Sequence, residues 1–283
     1  VNKIKSFAKV NLFLKVIGKS KNYHNLYSLI TQINLFDEIL IQETSTKKSK
    51  ILFTGPYKIK SEKNTISNLI CLIKKKFLNL KDKNFIIRVK KNIPNGSGLG
   101  GASSNAATVF KYLKEQYKLN ISHKESLKLL AKIGKDCPLF IDNKVKLLKS
   151  SGAKFVKFHH KLNLKLLIIF PNQTISTKKV FNKLNKFSKI SLNKKINLAK
   201  KLSLINLCKL YKNDLFTPAS RISKKIIDLS KMLDKLDSIL YYSMTGSGSA
   251  FFVICDTKKS LLNVQKMIKK QKKAFWTTIA KTI

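Results

Sequence analysis

The chain has 283 residues, 43% of them hydrophobic, and sets 58 lysines and arginines against 14 aspartates and glutamates, for a formal net charge of +44. That length and apolar content exclude a disordered or collagen-like chain, and a chain of this size buries roughly 70–75% of its unfolded surface without disulfide support. Lysine carries nearly all the charge, because the only arginines are Arg88 and Arg221. A dedicated nucleic-acid reader leans on arginine's bidentate fork. Lysine, asparagine and isoleucine are instead inflated together along the whole chain, as AT-rich codon usage produces. The positive field suits an anionic small molecule, and no specific nucleic-acid partner is expected.

Cys71, Cys137, Cys208 and Cys255 form no C-x-x-C pair and show no zinc spacing. They read as reduced thiols of a cytoplasmic protein. Lys5, Lys9 and Lys15 interrupt the N-terminal segment, so it is no signal-peptide core. The apolar runs are far short of the roughly 20 residues that span a bilayer, and no membrane partner is expected. Monomer and homodimer both remain open.

In chain order, residues 10–17 alternate loosely as a strand. Residues 27–35 and 38–42 read as two further strands with Asp37 between them, and 51–53 as another, closed by Thr54-Gly55-Pro56. Leu69, Leu72, Ile73 and Phe77 predict a helix over 67–80. Residues 85–89 (FIIRV) read as a compact strand. A glycine-rich loop follows, then helices over 102–116 and 124–133, the second capped by Ser122 and stopped at Gly134. A boundary near Ser150-Ser151-Gly152 divides the chain into 1–150 and 151–283. Beyond it, 165–170, 239–244, 250–255 and 275–279 predict strands, and 222–236 and 261–270 predict helices. Residues 181–201, rich in lysine and asparagine, read as a loop or a helical lid. Mixed strands and helices without strict alternation favour an α+β fold.

The most informative segment is Pro94-Asn95-Gly96-Ser97-Gly98-Leu99-Gly100-Gly101-Ala102-Ser103-Ser104. Strand before and helix after place a glycine-rich turn at a helix N-terminus, which is a phosphate cradle; Ser103 and Ser104 can add hydroxyl donors. The Walker pattern is absent. Gly96, Gly98 and Gly101 match G-x-G-x-x-G, but the helix leads into another helix rather than a strand ending in an acidic residue, so the dinucleotide-binding context fails. The motifs of protein kinases are absent as well.

At this loop the chain resembles the GHMP kinase superfamily, whose signature is P-x-x-x-G-L-G-(G/S)-(S/A)-S. Two further segments agree in order: Ala8-Lys9-Val10-Asn11-Leu12 with Tyr23-His24, and Thr245-Gly246-Ser247-Gly248. The resemblance implies a two-domain α+β kinase with ATP and substrate in a cleft between the domains. It implies transfer of the ATP γ-phosphate to an alcohol. The Tyr23-His24 segment is similar to the branch whose acceptor is the 2-hydroxyl of an erythritol carried on cytidine diphosphate; the alternative is another small alcohol such as homoserine.

The resemblance also carries roles. Lys9 and Asp136, in Gly134-Lys135-Asp136-Cys137-Pro138, stand at the catalytic positions. The 94–104 loop holds the ATP phosphates, and Asn64 touches the adenosine end. Asn11, His24 and the Gly246-Ser247-Gly248 loop bind substrate, while Tyr23 and Phe181 offer faces for the cytosine. Asn22 replaces the glycine that usually precedes this tyrosine, a change that asparagine's tolerance of left-handed geometry accommodates. Mg2+ arrives with ATP, and the glutamate that holds it in some members has no counterpart here.

Overall fold

The computed structural model describes residues 3–20, 23–59, 64–150, 154–190, 198 and 200–283. Asn22, residues 151–152 of the expected boundary, and parts of the 181–201 segment lie outside the described residues. The elements run β1 (Ile4–Ser20), β2 (Tyr23–Thr44), β3 (Lys50–Thr54), α1 (Thr65–Lys76), β4 (Asn84–Lys90), α2 (Gly101–Gln116) and α3 (His123–Ile133). They continue with β5 (Val145–Leu148), β6 (Phe155–Phe158), β7 (Lys165–Phe170), α4 (Thr177–Asn182), α5 (Lys201–Tyr211), α6 (Phe216–Ser220) and α7 (Lys224–Asp234). The chain closes with β8 (Ile239–Met244), β9 (Phe251–Cys255), α8 (Lys258–Gln271) and β10 (Trp276–Lys281). This is an α+β fold.

The chain divides into two compact units. One comprises Val1–Ala8, Leu35–Asn95 and Gly100–Asn143; the other comprises Lys9–Asn34, Gly96–Leu99 and Lys144–Ile283. These units interleave along the sequence, so they are a different division from the stretches 1–150 and 151–283.

In the first unit, β4 pairs antiparallel with β2 at 38–44 and parallel with β3. The sequence FIIRV alternates as a half-covered strand must: Phe85, Ile87 and Val89 are buried while Arg88 is exposed. Apolar residues at helical spacing cover this unit's core, with Ile66, Leu69, Ile70 and Ile73 from α1 and Ala106, Val109, Phe110 and Leu113 from α2. The predicted Ser122 cap of α3 is present as a full capping box with Glu125, and Gly134 follows the last turn. The helix expected over 67–80 starts earlier, capped by Asn64, and ends at Lys76, where Phe77 turns extended.

The strands expected on either side of Asp37 are one strand of 22 residues. Asp37 does not break it because its buried carboxylate is fully engaged. It accepts from the Lys91 ammonium and from the N–H groups of Asn92 (2.7 Å) and Ile93 (2.8 Å). Both members of the ion pair are at most 1% exposed. Removing one charge from such a pair leaves the other stranded in a dry site. Asp37→Asn should therefore lower unfolding stability by about 3–5 kcal/mol. Urea denaturation measures this, and a loss below about 1 kcal/mol would show that the pair is not desolvated as its burial indicates.

In the second unit β10, β7, β9 and β8 form an antiparallel sheet in that order. Its core joins Leu167, Ile169, Phe251 and Val253 of the sheet to Leu229 and Leu233 of α7 and to Val264 and Ile268 of α8. The helix expected over 222–236 is shorter, and Ser223 precedes it with its hydroxyl donating to Gln173 Oε1 (2.6 Å). The strands β5 and β6, four residues each, and the helices α4, α5 and α6 were not expected. Such short or lysine-interrupted stretches carry little periodicity. Among the described residues no helix is long and apolar enough to cross a membrane.

Candidate active site

The glycine-rich loop is anchored by its backbone. Leu99 O accepts from Lys9 N–H (2.9 Å), and Ser97 O accepts from Ala250 N–H (3.0 Å). Residues 96–99 are thereby strapped to β1 on one side and to the start of β9 on the other. Gly98 has φ +81°, and a Cβ there would lie 2.3 Å from Thr245 O. The loop opens directly into α2, a 16-residue helix whose first turn carries the positive end of the helix dipole.

Ser103 and Ser104, in the first turn of α2, have different partners. Ser104 is buried, its hydroxyl 2.8 Å from that of Ser6. Ser103 hydrogen-bonds the thiol of Cys137, in the turn that carries Asp136. Within the first unit, therefore, the start of α2 and the Gly134–Cys137 turn are joined side chain to side chain. Asp136 is half-buried there, immediately before a short 3-10 turn (Cys137–Phe140) stiffened by Pro138. Asn64 serves as the α1 cap, its Oδ1 accepting from Ile66 and Ser67 N–H (both 3.0 Å). Asn95 donates to Tyr57 O (2.7 Å).

In the second unit Lys9 and Asn11 project from the same face of β1, as an i, i+2 pair must. Both are nearly fully buried, and Lys9 donates to Asn11 Oδ1. Asn11 donates through Nδ2 to Ser28 Oγ (2.9 Å) and through its backbone N–H to Thr245 Oγ1 (2.9 Å). Gly246 has φ +59°; a Cβ there would lie 3.1 Å from Gly98 O and 3.2 Å from Lys9 Nζ. Lys9, Asn11, Gly98 and Gly246 are thus one cluster, drawn from three distant parts of the sequence. Ser247 reaches α4, its hydroxyl 2.8 Å from that of Thr177.

One helical turn along α4, Phe181 stacks on the His24 ring at 4.5 Å between centroids. Tyr23 is exposed. The structure therefore brings together Lys9, Asn11, the 96–99 segment and Gly246-Ser247-Gly248, and separately His24 with Phe181. It joins Ser103 to the Asp136 turn. Thr177 and Thr245 were not singled out from the sequence. The signal was available for Thr245, which opens the glycine motif, but not for Thr177.

None of the three buried cysteines is a nucleophile at neutral pH. Burial pushes the Cys137 and Cys208 thiols up to about 12 and Cys255 up to about 11, so they stay protonated. Cys71 alone is exposed. An Ellman titration at neutral pH should find one of the four free thiols reacting fast in the native protein and the rest only on unfolding. Two fast thiols would contradict the burial of the others. Among the described residues no cluster of three histidines, cysteines or carboxylates could hold a metal ion.

The fold and the loop-helix unit define a GHMP kinase, and residues 64–141 match the family described as GHMP kinases N terminal domain. A solved structure of 4-(cytidine 5'-diphospho)-2C-methyl-D-erythritol kinase shares the fold, with a TM-score of 0.78 at 23% identity over 99% of both chains. Homoserine kinase from Cytophaga hutchinsonii shares it at a TM-score of 0.69 and 19% identity, over 100% of this chain and 95% of that one. The 4-diphosphocytidyl-2-C-methyl-D-erythritol kinase of Pelagibacter ubique (strain HTCC1062) is 36% identical over 282 residues, covering 99% of each chain. The chain belongs to the family of 4-diphosphocytidyl-2-C-methyl-D-erythritol kinases.

Proposed function

We propose that this protein transfers the γ-phosphoryl group of ATP to the 2-hydroxyl of 4-diphosphocytidyl-2-C-methyl-D-erythritol, a step of non-mevalonate isoprenoid precursor synthesis. The observation that carries the reading is the Lys9 ammonium, held by Asn11 and set against Gly246 beside the glycine loop. Phosphoryl transfer needs positioning and charge neutralisation above all. Lys9 supplies a cation beside a loop built for phosphates. The N–H groups at the start of α2 bind the phosphate oxygens, and Mg2+ enters as part of the nucleotide, with no protein ligand assigned.

On this reading Asp136 accepts the proton of the acceptor hydroxyl as the new O–P bond forms, and ADP leaves with the bridging oxygen. Lys9 offsets charge on the phosphoryl group. Asn11 orients the acceptor. His24 and Tyr23 recognise the cytidine end, with Phe181 as the aromatic floor that the His24 stack supports. Asn64 lies toward the adenosine end, where its cap fixes the start of α1. Four free thiols fit a reducing cytoplasm.

The test is ADP release from Mg-ATP with and without 4-diphosphocytidyl-2-C-methyl-D-erythritol, with homoserine as a second acceptor. ADP that depends on the cytidine diphosphate substrate supports the reading. ADP that depends on homoserine instead would move the acceptor, and ATP that does not bind to folded protein would remove the kinase reading.

A further inference from the structure

The Gly246 loop is also gripped by a residue outside every motif discussed so far. Asn213 is 7% exposed, and its side chain makes three hydrogen bonds. Its Nδ2 donates to Met244 O (2.6 Å) and to Gly246 O (3.0 Å), and its Oδ1 accepts from Leu215 N–H (2.9 Å). The segment that carries it is itself fastened to β1. Leu14 N–H donates to Lys212 O (2.9 Å), Asp214 N–H donates to Leu14 O (2.8 Å), and Leu14 and Asn213 form a parallel bridge. The Asp214 carboxylate then accepts from the Lys15 ammonium, from Val16 N–H (2.8 Å) and from Ser188 Oγ (2.8 Å).

These bonds close a ring of short links. β1 carries Lys9 and Asn11, residues 212–214 are stitched to β1 at 14–16, and Asn213 ties those residues to Gly246. Asn11 N–H also reaches Thr245 Oγ1. The separation of Lys9 from the Gly246 backbone is thus fixed through two links to β1. We propose that Asn213 is a positioning residue for phosphoryl transfer, setting the Gly246 loop against Lys9 through the loop's carbonyls. This rests on the kinase reading above. Asn213 acts through the loop's backbone, and a loop displaced by about 1 Å is enough to cost up to about 100-fold in rate.

Truncating this side chain need not unfold the protein. Asn213 lines a cavity of about 760 Å³ together with Lys15, Tyr211, Tyr241 and Met244, so water can replace its donors. The informative variants are Asn213→Ala, which lets water reach the two carbonyls, and Asn213→Asp, which keeps the shape but turns an oxygen toward them. The experiment measures kcat and KM for ATP and for the acceptor, calorimetric ATP stoichiometry without acceptor, and the melting temperature.

The expected result is a kcat about 10- to 100-fold lower, lowest for Asn213→Asp, with ATP stoichiometry unchanged in both variants. A kcat within about two-fold of the parent in both variants overturns the proposal. So does a kcat that falls only in proportion to ATP-binding stoichiometry, since that marks lost folded protein. A parent enzyme that binds ATP but shows no acceptor-dependent ADP overturns the reading beneath the proposal, and the proposal with it.

Discussion

Asp136→Asn should lower kcat by a factor on the order of 10²–10⁴ while ATP binds as before. The substitution keeps size and shape, and the turn that holds the residue does not depend on its charge. Leu139 N–H bonds Asp136 O, Pro138 restricts the backbone, and Cys137 meets Ser103 of α2. What disappears is the negative charge and the proton acceptor. The loop amides and the start of α2, which hold the nucleotide on the proposed reading, keep their donors. Steady-state kinetics with calorimetric ATP binding separates the two effects. Turnover close to that of the parent would sink the role assigned to Asp136, and a matching loss of ATP affinity would show that the carboxylate supports the nucleotide site instead.

Gly98→Val should weaken ATP binding by well over tenfold, a loss above about 1.4 kcal/mol. Any side chain here meets two obstacles. The backbone sits at φ +81°, where β-branched residues are genuine outliers, and the first carbon would lie 2.3 Å from Thr245 O and 3.1 Å from Gly248 O. Those oxygens belong to backbone pinned by Asn11 and by the Thr245–Ala250 hydrogen bond (2.9 Å), so they cannot retreat cheaply. The loop must move, and its amides move with it. Circular dichroism confirms that the variant is folded, and unchanged nucleotide affinity in a folded variant would mean that the phosphates sit elsewhere.

The glycine loop, the α3 cap and the alternation of β4 were legible in the sequence because each is a local device. A turn, a cap and a period of two need only a few consecutive residues. The long strands were not legible as single elements, since Asp37 reads as a break until Lys91, far along the chain, is seen to neutralise it. The same holds for the site. Lys9, Asn11 and Gly246 could be named from their motifs, but the grip of Asn213 on Gly246 joins residues 33 apart that share no pattern. The contact between the Ser104 and Ser6 hydroxyls, 98 residues apart, was equally invisible to any local pattern. Composition told least, because lysines recur from one end of the sequence to the other and single out no site.

The interleaving of the two compact units has a consequence for the ribosome. Residues 9–34 emerge early, yet they belong with Lys144–Ile283. Val10, Leu12, Phe13, Leu14, Val16, Tyr27 and Leu29, all buried in the finished protein, leave the exit tunnel long before the sheet and helices that complete their unit. At about 5–20 residues per second, the 140 residues that end the chain take roughly 7–28 s to follow. For that interval an apolar hairpin waits half-covered, while the unit containing the Asp136 turn already has its full complement of chain. Nascent chains halted after residue 143 should accordingly bind a chaperone at 9–34, and full-length chains should release it.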